Sequence, residues 1–146
     1  MKKTIEKISN RERDVMMVFW KEDRPLTASG IVEADPSLSI NTVQLAVKNL
    51  MKKGYIEVAQ IVYSGTVLSR SYRYLIRSEE YAAAQLQEMK MTTLNFSTLN
   101  LIERLIDESD ESLLDTLEQL VRTKKENADR PARKRSASSK KSAVKD

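Results

Sequence analysis

Cysteine and histidine are both missing from this sequence of 146 residues, and each absence removes a class of function. Without cysteine there is no disulfide framework, no thiolate metal site and no cysteine nucleophile. Without histidine, the commonest catalytic base and most transition-metal sites are excluded, so we expect no metal and no cofactor. The three glycines form no glycine-rich phosphate loop. An enzyme is therefore the least favoured class.

Long hydrophobic runs are absent as well. The longest apolar runs fall far short of the roughly 20 residues that a membrane-spanning helix needs, and no signal peptide is visible. We therefore expect a soluble, cytoplasmic protein without membrane insertion. The hydrophobic share of 40% is enough for a core. At roughly 100–200 residues per domain, the length allows one domain, or one small domain with an appendage.

Charge of both signs is plentiful but unevenly distributed. The net charge of +4 divides into +3 over residues 1–90, −6 over residues 91–121 and +7 over residues 122–146. The acidic zone should avoid phosphate. From residue 130 onward a single valine is the only large apolar residue, so we predict that 127–146 form a disordered basic tail. Such a tail either attracts phosphate nonspecifically or serves only solubility.

Three helices are predicted in the first 54 residues. Each begins after a residue whose side chain can cap a helix N-terminus, namely Ser9, Thr27 and Ser39. Glu12 completes a capping box with the first of these. The predicted spans are about 10–21, 28–34 and 40–53, with Gly54 at the last C-terminus. The apolar residues that recur at helical spacing are Val15, Val18 and Phe19 in the first helix and Val43, Val47 and Leu50 in the third.

The pattern changes period after Gly54. Residues 55–63 (YIEVAQIVY) are rich in β-branched and aromatic side chains, and a turn signal follows at 64–66. Residues 71–77 alternate again, with Tyr72, Tyr74 and Ile76 on one face and Arg73, Leu75 and Arg77 on the other. Two strands around a loop form a hairpin. Three helices followed by a hairpin is the order of elements in a winged helix-turn-helix.

Three further helices are predicted after the hairpin. Their spans are about 78–91, 96–107 and 111–125, and Ser78 is the expected cap of the first. Short amphipathic helices alone offer too little core for a free-standing domain. We therefore predict that this region forms a homodimer. The alternative is that the helices pack back onto the first domain.

The third helix carries the main functional pattern. Val43, Val47 and Leu50 face the core, which leaves a polar and basic face outward. Asn and Gln side chains can pair with adenine edges, Thr can bond bases or phosphates, and Leu can contact a thymine methyl group. Lysines one turn apart can meet a phosphate strand, and a helix N-terminus also attracts phosphate. The predicted base-reading residues are Asn41, Thr42, Gln44 and Leu45, and the predicted phosphate contacts are Ser39, Lys48 and Lys52.

The hairpin supplies two further candidates, Arg70 and Arg73, where a wing passes beside the DNA backbone. By itself the third helix also fits an ordinary amphipathic helix, because any outward face is polar. The helix and the wing in this order favour DNA binding. The paired acids, such as Glu79-Glu80 and Asp110-Glu111, lie at helix starts without a histidine, so solvated caps are favoured over acid–base pairs.

Several stretches resemble the penicillinase-repressor family of winged-helix regulators. Residues 8–32, with Ile8-Ser9, Glu12, Trp20 and Leu26-Thr27-Ala28-Ser29, resemble its first two helices. The third helix and first strand are matched by Thr42-Val43 and Lys53-Gly54-Tyr55-Ile56, and the wing exit by Tyr72-Arg73 and Glu79-Glu80-Tyr81. Two differences are that residues 64–69 look like a longer wing loop and that the basic tail is extra. One branch of this family responds to copper through a pair of cysteines, and the absence of cysteine excludes that thiolate switch here.

The resemblance implies a homodimeric repressor that binds a palindromic operator in double-stranded DNA. It also implies release through a membrane sensor-protease pathway that cleaves between Asn and Phe in the dimerisation region. Leu94-Asn95-Phe96 stands at the corresponding place, so Asn95 and Phe96 are the candidate cleavage site. Asn95 alternatively fits a plain helix cap.

These inferences predict a mainly α (α+β) fold in three parts. A winged helix-turn-helix DNA-binding domain covers 1–80, a helical dimerisation region covers 81–126, and the disordered basic tail covers 127–146. The favoured function is a dimeric sequence-specific transcriptional repressor. The rival is a winged-helix module that binds proteins and not DNA, which the modest charge of +3 over residues 1–90 leaves open. A steep loss of DNA affinity with salt distinguishes the two.

Overall fold

The computed structural model of the protein describes residues 4–129, which contain six helices and three strands. The helices are α1 (Asn10–Glu22), α2 (Ala28–Ala34), α3 (Ile40–Lys52), α4 (Ser78–Thr92), α5 (Thr98–Asp107) and α6 (Glu111–Ala128). The strands are β1 (Leu26–Thr27), β2 (Ile56–Ser64) and β3 (Val67–Tyr74). Contacts divide the chain into two compact units after Leu94, so α4 belongs to the first unit.

The three predicted N-caps of the first unit are confirmed. Ser9, Thr27 and Ser39 each accept a hydrogen bond from the backbone N–H three residues on, and Glu12 closes the capping box of α1. Gly54 follows α3 with a φ of 80°, in the left-handed region that glycine adopts at little cost. Each cap satisfies a backbone group that the helix itself leaves without a partner.

The core of the first unit lies between α1, α3 and the inner part of the sheet. Its buried side chains include all the apolar residues predicted for the inner faces of α1 and α3. Tyr55 is buried at the end of this core, which raises the pKa of its hydroxyl to about 12. The protonated hydroxyl donates to the carbonyl of Glu6. On the other side of the core, Trp20 Nε1 donates a hydrogen bond to the carbonyl of Ile76 at 2.9 Å.

The sheet is antiparallel, with the strand order β1-β3-β2. Its hairpin is longer and its loop shorter than predicted. The strands pair as far as Ser64 and Val67, so only Gly65 and Thr66 form the turn, and Gly65 has a φ of 71°. The expected long loop over 64–69 is therefore wrong, because strand pairing continues through residues whose Ser, Gly and Thr content is typical of loops.

The second unit contains α5 and α6, and neither helix has a buried residue. Asp110 caps α6 by accepting from the N–H of Leu113. Helix α6 continues to Ala128, so residues 127 and 128 are helical where the disordered tail was predicted to begin. The rest of that predicted tail, from 130 onward, lies outside the described residues.

Candidate nucleic-acid interface

Helix α3 presents the outward face that the sequence predicts. Val43, Val47 and Leu50 are buried against the core. The opposite face bears the exposed residues Asn41, Gln44, Leu45, Lys48 and Lys52, and the side chain of Leu45 is 61% exposed. All five predicted side chains are therefore free to meet a partner, and the helix itself is held by its apolar face.

The first turn of α3 is ordered by Ser39. Its Oγ accepts from the N–H of Thr42 at 3.1 Å and donates to Thr42 Oγ1 at 2.9 Å. The Thr42 hydroxyl keeps its own proton and can still donate it. The positive end of the helix dipole adds to the attraction for an anion at this turn.

A cleft of about 640 Å³ lies between α3, the start of α2 and β3. Gln44, Lys48 and Lys52 line it from α3, and Arg70 lines it from β3. Among the described residues, 4–129, no acidic residue lines it. Within residues 4–129, none of these three cations forms an ion pair with a carboxylate. The fold thus brings three positive charges together from positions up to 22 residues apart in the sequence.

Arg73 lies elsewhere. It is three residues from Arg70 on the same strand, so its side chain points to the opposite face of the sheet. There its Nε donates to Glu57 Oε2 at 2.6 Å. The structure therefore does not bring Arg73 to the cleft. Arg70 and Arg73 were predicted to act together, but side chains alternate between the two faces of a strand and these two lie on opposite faces.

The start of α2 was not predicted as part of the interface. Thr27, Ala28 and Ser29 line the cleft opposite α3. Thr27 was recognised only as a cap, and its Oγ1 does accept from the N–H of Gly30 at 3.0 Å. The helix-turn-helix order in the sequence could have predicted this position, because the first helix of that motif crosses beside the second.

A buried carboxylate joins the far end of α3 to α1. Glu12 accepts from Lys53 Nζ at 2.8 Å and from Asn49 Nδ2 at 3.1 Å, and it is only 6% exposed. Burial alone would raise the pKa of Glu12. The bonds from Lys53, Asn49 and the Ser9 N–H outweigh that effect and hold the pKa below its ordinary value.

The candidate cleavage site lies between two helices. Asn95 and Phe96 follow the end of α4 and precede α5, and Asn95 is exposed. Asn95 is not a helix cap, because Ser97 caps α5 by accepting from the N–H of Asn100. Similarly, α4 begins at Ser78 itself, with Arg77 as the N-cap residue.

The family model described as "Penicillinase repressor" matches residues 8–123 of the chain. The protein belongs to the penicillinase repressor family. The members of this family are DNA-binding transcriptional repressors and not enzymes, and the six helices with a three-stranded antiparallel sheet form the winged-helix fold expected of this repressor. No curated protein matches the chain. Over residues 4–129, no helix of the repressor is long and apolar enough to cross a membrane.

Solved structures similar to the repressor include three streptococcal and lactococcal proteins. The adhesin competence repressor AdcR of Streptococcus pyogenes is 16% identical, with 84% of this chain and 81% of that chain covered and a TM-score of 0.36. FabT of Streptococcus pneumoniae, solved in complex with DNA, is 16% identical over 84% and 76%, with a TM-score of 0.37. The zinc-responsive MarR family member ZitR of Lactococcus lactis is 16% identical over 86% and 78%, with a TM-score of 0.37.

Proposed function

We propose that the protein represses transcription as a homodimer that binds a palindromic operator in double-stranded DNA, with α3 of each copy in the major groove of one half-site. The observation that carries this proposal is the cleft in which Lys48, Lys52 and Arg70 converge beside the polar face of α3. Three cations in a cleft that no acidic residue of the described part of the chain lines form a surface that is complementary to a phosphate strand.

The chemistry of the exposed face supports distinct roles. The amides of Asn41 and Gln44 can each pair with an adenine edge, and Leu45 can contact a thymine methyl group. Thr42 keeps a hydroxyl proton for a base or a phosphate. Lys48, Lys52 and Arg70 hold the phosphates, and the first turn capped by Ser39 adds backbone N–H groups.

The apolar surface of the second unit supports the dimer. Leu99, Ile102 and Leu105 of α5 are 73%, 45% and 54% exposed, and Leu113, Leu120 and Val121 of α6 are similarly exposed. Exposed apolar side chains recurring along two helices are typical of a surface that a second copy covers. Joining two DNA-binding units raises the effective concentration of each at its half-site.

Release by proteolysis is the second part of the proposal. The Asn95–Phe96 bond lies outside the helices, in the segment 93–97 that connects α4 to α5. A protease needs such an exposed, non-helical segment. Cleavage there, triggered through a membrane sensor-protease pathway, would separate the two units and abolish the dimer. A cytoplasmic location is part of the same proposal.

The test is selection of duplexes from a random pool by the full-length protein, followed by fluorescence anisotropy on the selected duplex. Gln44→Ala and Lys48→Ala should each weaken binding about tenfold, since one good base or phosphate contact contributes roughly 1–3 kcal/mol. Lys21→Ala removes another exposed lysine, which lies outside the cleft, and should bind as the wild type does. If no duplex is enriched, or if binding does not weaken with salt, the proposed DNA binding is refuted and the protein-binding alternative is favoured.

A further inference from the structure

A second cavity of the first unit lies apart from the cleft. Its volume is about 820 Å³, within the range of roughly 300–1,000 Å³ that is usual for small-molecule sites. It is lined by α1, by the C-terminal end of α2 and by the start of α4, and we name it the α1–α4 cavity. Helix α2 also lines the cleft, but there with its N-terminal residues, so the two sites have no residue in common. The α1–α4 cavity is therefore not part of the proposed DNA contact.

One wall of the α1–α4 cavity is apolar and aromatic. Val18 is buried there, Met17 is 56% exposed, and the rings of Trp20 and Tyr81 also line the cavity. The centroids of the two rings are 5.5 Å apart, and the Nε1 bond to the carbonyl of Ile76 holds the indole in place. A wall of this kind binds the apolar part of a ligand, and aromatic rings attract cations as well.

The charged residues of the cavity are mostly acidic. Asp14, Glu22 and Asp35 line it, and Lys21 is the only cation that does so within residues 4–129. Three acids and one lysine give the lining a net charge of −2. Asp35 forms no ion pair within the same range, and its Oδ1 accepts only from the N–H and Oγ of Ser37. The cavity therefore favours a positively charged ligand and repels a negatively charged one.

The other two carboxylates are paired only with exposed arginines. Asp14 meets Arg11 at 3.4 Å, and Glu22 meets Arg24 at 3.2 Å. The side chains of these arginines are 65% and 60% exposed, and neither residue lines the cavity. Exposed pairs of this kind contribute little free energy. Both carboxylates can therefore exchange these partners for a cation inside the cavity.

We propose that the α1–α4 cavity binds a small organic cation, in which an ammonium group is attached to an apolar body. The wall with Trp20 and Tyr81 takes the apolar body, and the carboxylates, Asp35 above all, attract the ammonium group. A bare metal ion fits less well, because no group of three or more acids in the described part of the chain is placed to hold one. This inference goes beyond the proposed function and does not depend on DNA binding.

The test uses the fluorescence of Trp20, which is the only tryptophan in the sequence and lines the cavity. The full-length protein is titrated with 4-phenylbutylamine, which is a cation at neutral pH, and in parallel with 4-phenylbutanol and 4-phenylbutyrate. These two have nearly the same shape, but one is neutral and the other is an anion. The amine should give a saturable change at millimolar concentrations. The alcohol should bind about tenfold more weakly, because it forms neither an ion pair nor a cation–π contact, and the carboxylate should not saturate.

Asp35→Asn tests the charge of the cavity. Asparagine keeps an acceptor oxygen for Ser37, so this variant should unfold in urea as the wild type does while binding the amine about threefold more weakly. Its affinity for the alcohol should not change. Glu33→Gln is the matched control, since Glu33 is an exposed acid of α2 that does not line the cavity. Lys21→Ala should bind the amine more tightly, because it removes the like charge.

Tyr81 tests the aromatic wall. Tyr81→Phe keeps the ring and should bind the amine as the wild type does, whereas Tyr81→Leu should bind it about fivefold more weakly. Equal affinities for the amine and the alcohol, or equal losses in Asp35→Asn and Glu33→Gln, would overturn the assignment of a cation. If none of the three compounds gives a saturable change, the cavity is not a ligand site. These measurements contain no DNA, so their failure is separate from a failure of the proposed function.

Discussion

At the scale of single residues, the buried carboxylate of Glu12 connects the C-terminal end of α3 to α1. It accepts three hydrogen bonds, from the Ser9 N–H, Asn49 Nδ2 and Lys53 Nζ. The first lies within its own helix turn, and the other two come from the last turns of α3. A carboxylate bonded to donors on both helices resists rotation of α3 relative to α1, and this adds to the hold of the buried apolar face of α3.

Glu12→Gln should lower the free energy of unfolding by about 2 kcal/mol at neutral pH, because a hydrogen bond to a charged group contributes roughly 1.5–3 kcal/mol. Urea unfolding followed by circular dichroism measures this difference. Asp14→Asn is the matched control on α1, since Asp14 forms only an exposed pair with Arg11 at 3.4 Å. The control should change the free energy of unfolding by less than about 0.5 kcal/mol. Equal effects of the two variants would contradict the role given to Glu12.

The pH dependence of Glu12 follows from the direction of its pKa shift. The folded-state pKa lies below the ordinary value of 4.5, so the stabilisation is complete above that pH and is lost as the pH falls through the folded pKa. The difference in unfolding free energy between wild type and Glu12→Gln should stay constant from neutral pH down to about pH 5 and shrink below it. Urea unfolding at a series of pH values measures this, and a difference that persists undiminished in strong acid would contradict it.

At the scale of elements, the helices of the first unit were predicted more accurately than the strands. The caps Ser9, Thr27 and Ser39 act on backbone groups three residues away, so a short window of sequence contains the whole interaction. The cap of α5 was missed because Asn95 and Ser97 are both good capping residues. Only the direction of the backbone decides which of two neighbouring candidates accepts the first N–H.

Strand β1 was not predicted, because its existence depends on a distant partner. Leu26 and Thr27 pair with Tyr72 and Ser71, 46 and 44 residues further on. Nothing in two residues of sequence indicates that pairing. The predicted end of the second strand of the hairpin, at Arg77, was wrong for a similar reason. The backbone N–H of Leu75 donates to the carbonyl of Tyr55, so the chain leaves the ladder before Arg77.

Thr27 tests the element scale directly, since its side chain caps the seven-residue α2. Thr27→Ala should lower the free energy of unfolding by about 1 kcal/mol, the usual loss for removing an N-cap hydroxyl. Ser29→Ala is the matched control, because Ser29 is an exposed residue of the same helix that does not cap it. It should leave the free energy of unfolding unchanged or slightly higher, as alanine favours the helix. Urea unfolding of both variants checks this, and a Thr27→Ala protein as stable as Ser29→Ala would refute the capping role.

At the scale of the whole molecule, the candidate interface was only partly predictable. Helical periodicity places Gln44, Lys48 and Lys52 on one face, and the structure keeps them together. Arg70 reaches the same cleft only because the hairpin folds back beside α3, a contact that no local pattern encodes. The same fold carries Arg73 away to Glu57. The grouping of residues on one face was therefore correct on the helix. On the strand, the grouping of Arg70 with Arg73 was incorrect, because side chains along a strand alternate between its two faces.

The division of charge and apolar surface between the two units has a consequence for assembly. Residues 91–121 have a net charge of −6, and DNA would repel that surface. Their exposed leucines and isoleucines need a different partner, and a second copy supplies identical apolar helices. Neither α5 nor α6 has a buried residue within the described part of one chain. In the proposed dimer, a second copy would give these helices the core that they lack in one chain.

Leu105→Asp should separate the copies, because a charge would have to be buried in the interface between them. Leu105 is 54% exposed on α5, and sedimentation equilibrium should show twice the chain mass for wild type and a single chain for the variant. Arg104→Ala, at the neighbouring position of the same helix, should keep the double mass. DNA affinity of Leu105→Asp should fall by a factor of roughly 100 or more, since linked half-sites gain that much from effective concentration. The first unit has its own core, so Leu105→Asp should keep the wing and α3 folded, as judged by the circular dichroism that remains. A wild-type protein with the mass of one chain, or a monomeric variant that binds the selected duplex as tightly as the dimer, would contradict assembly through α5 and α6.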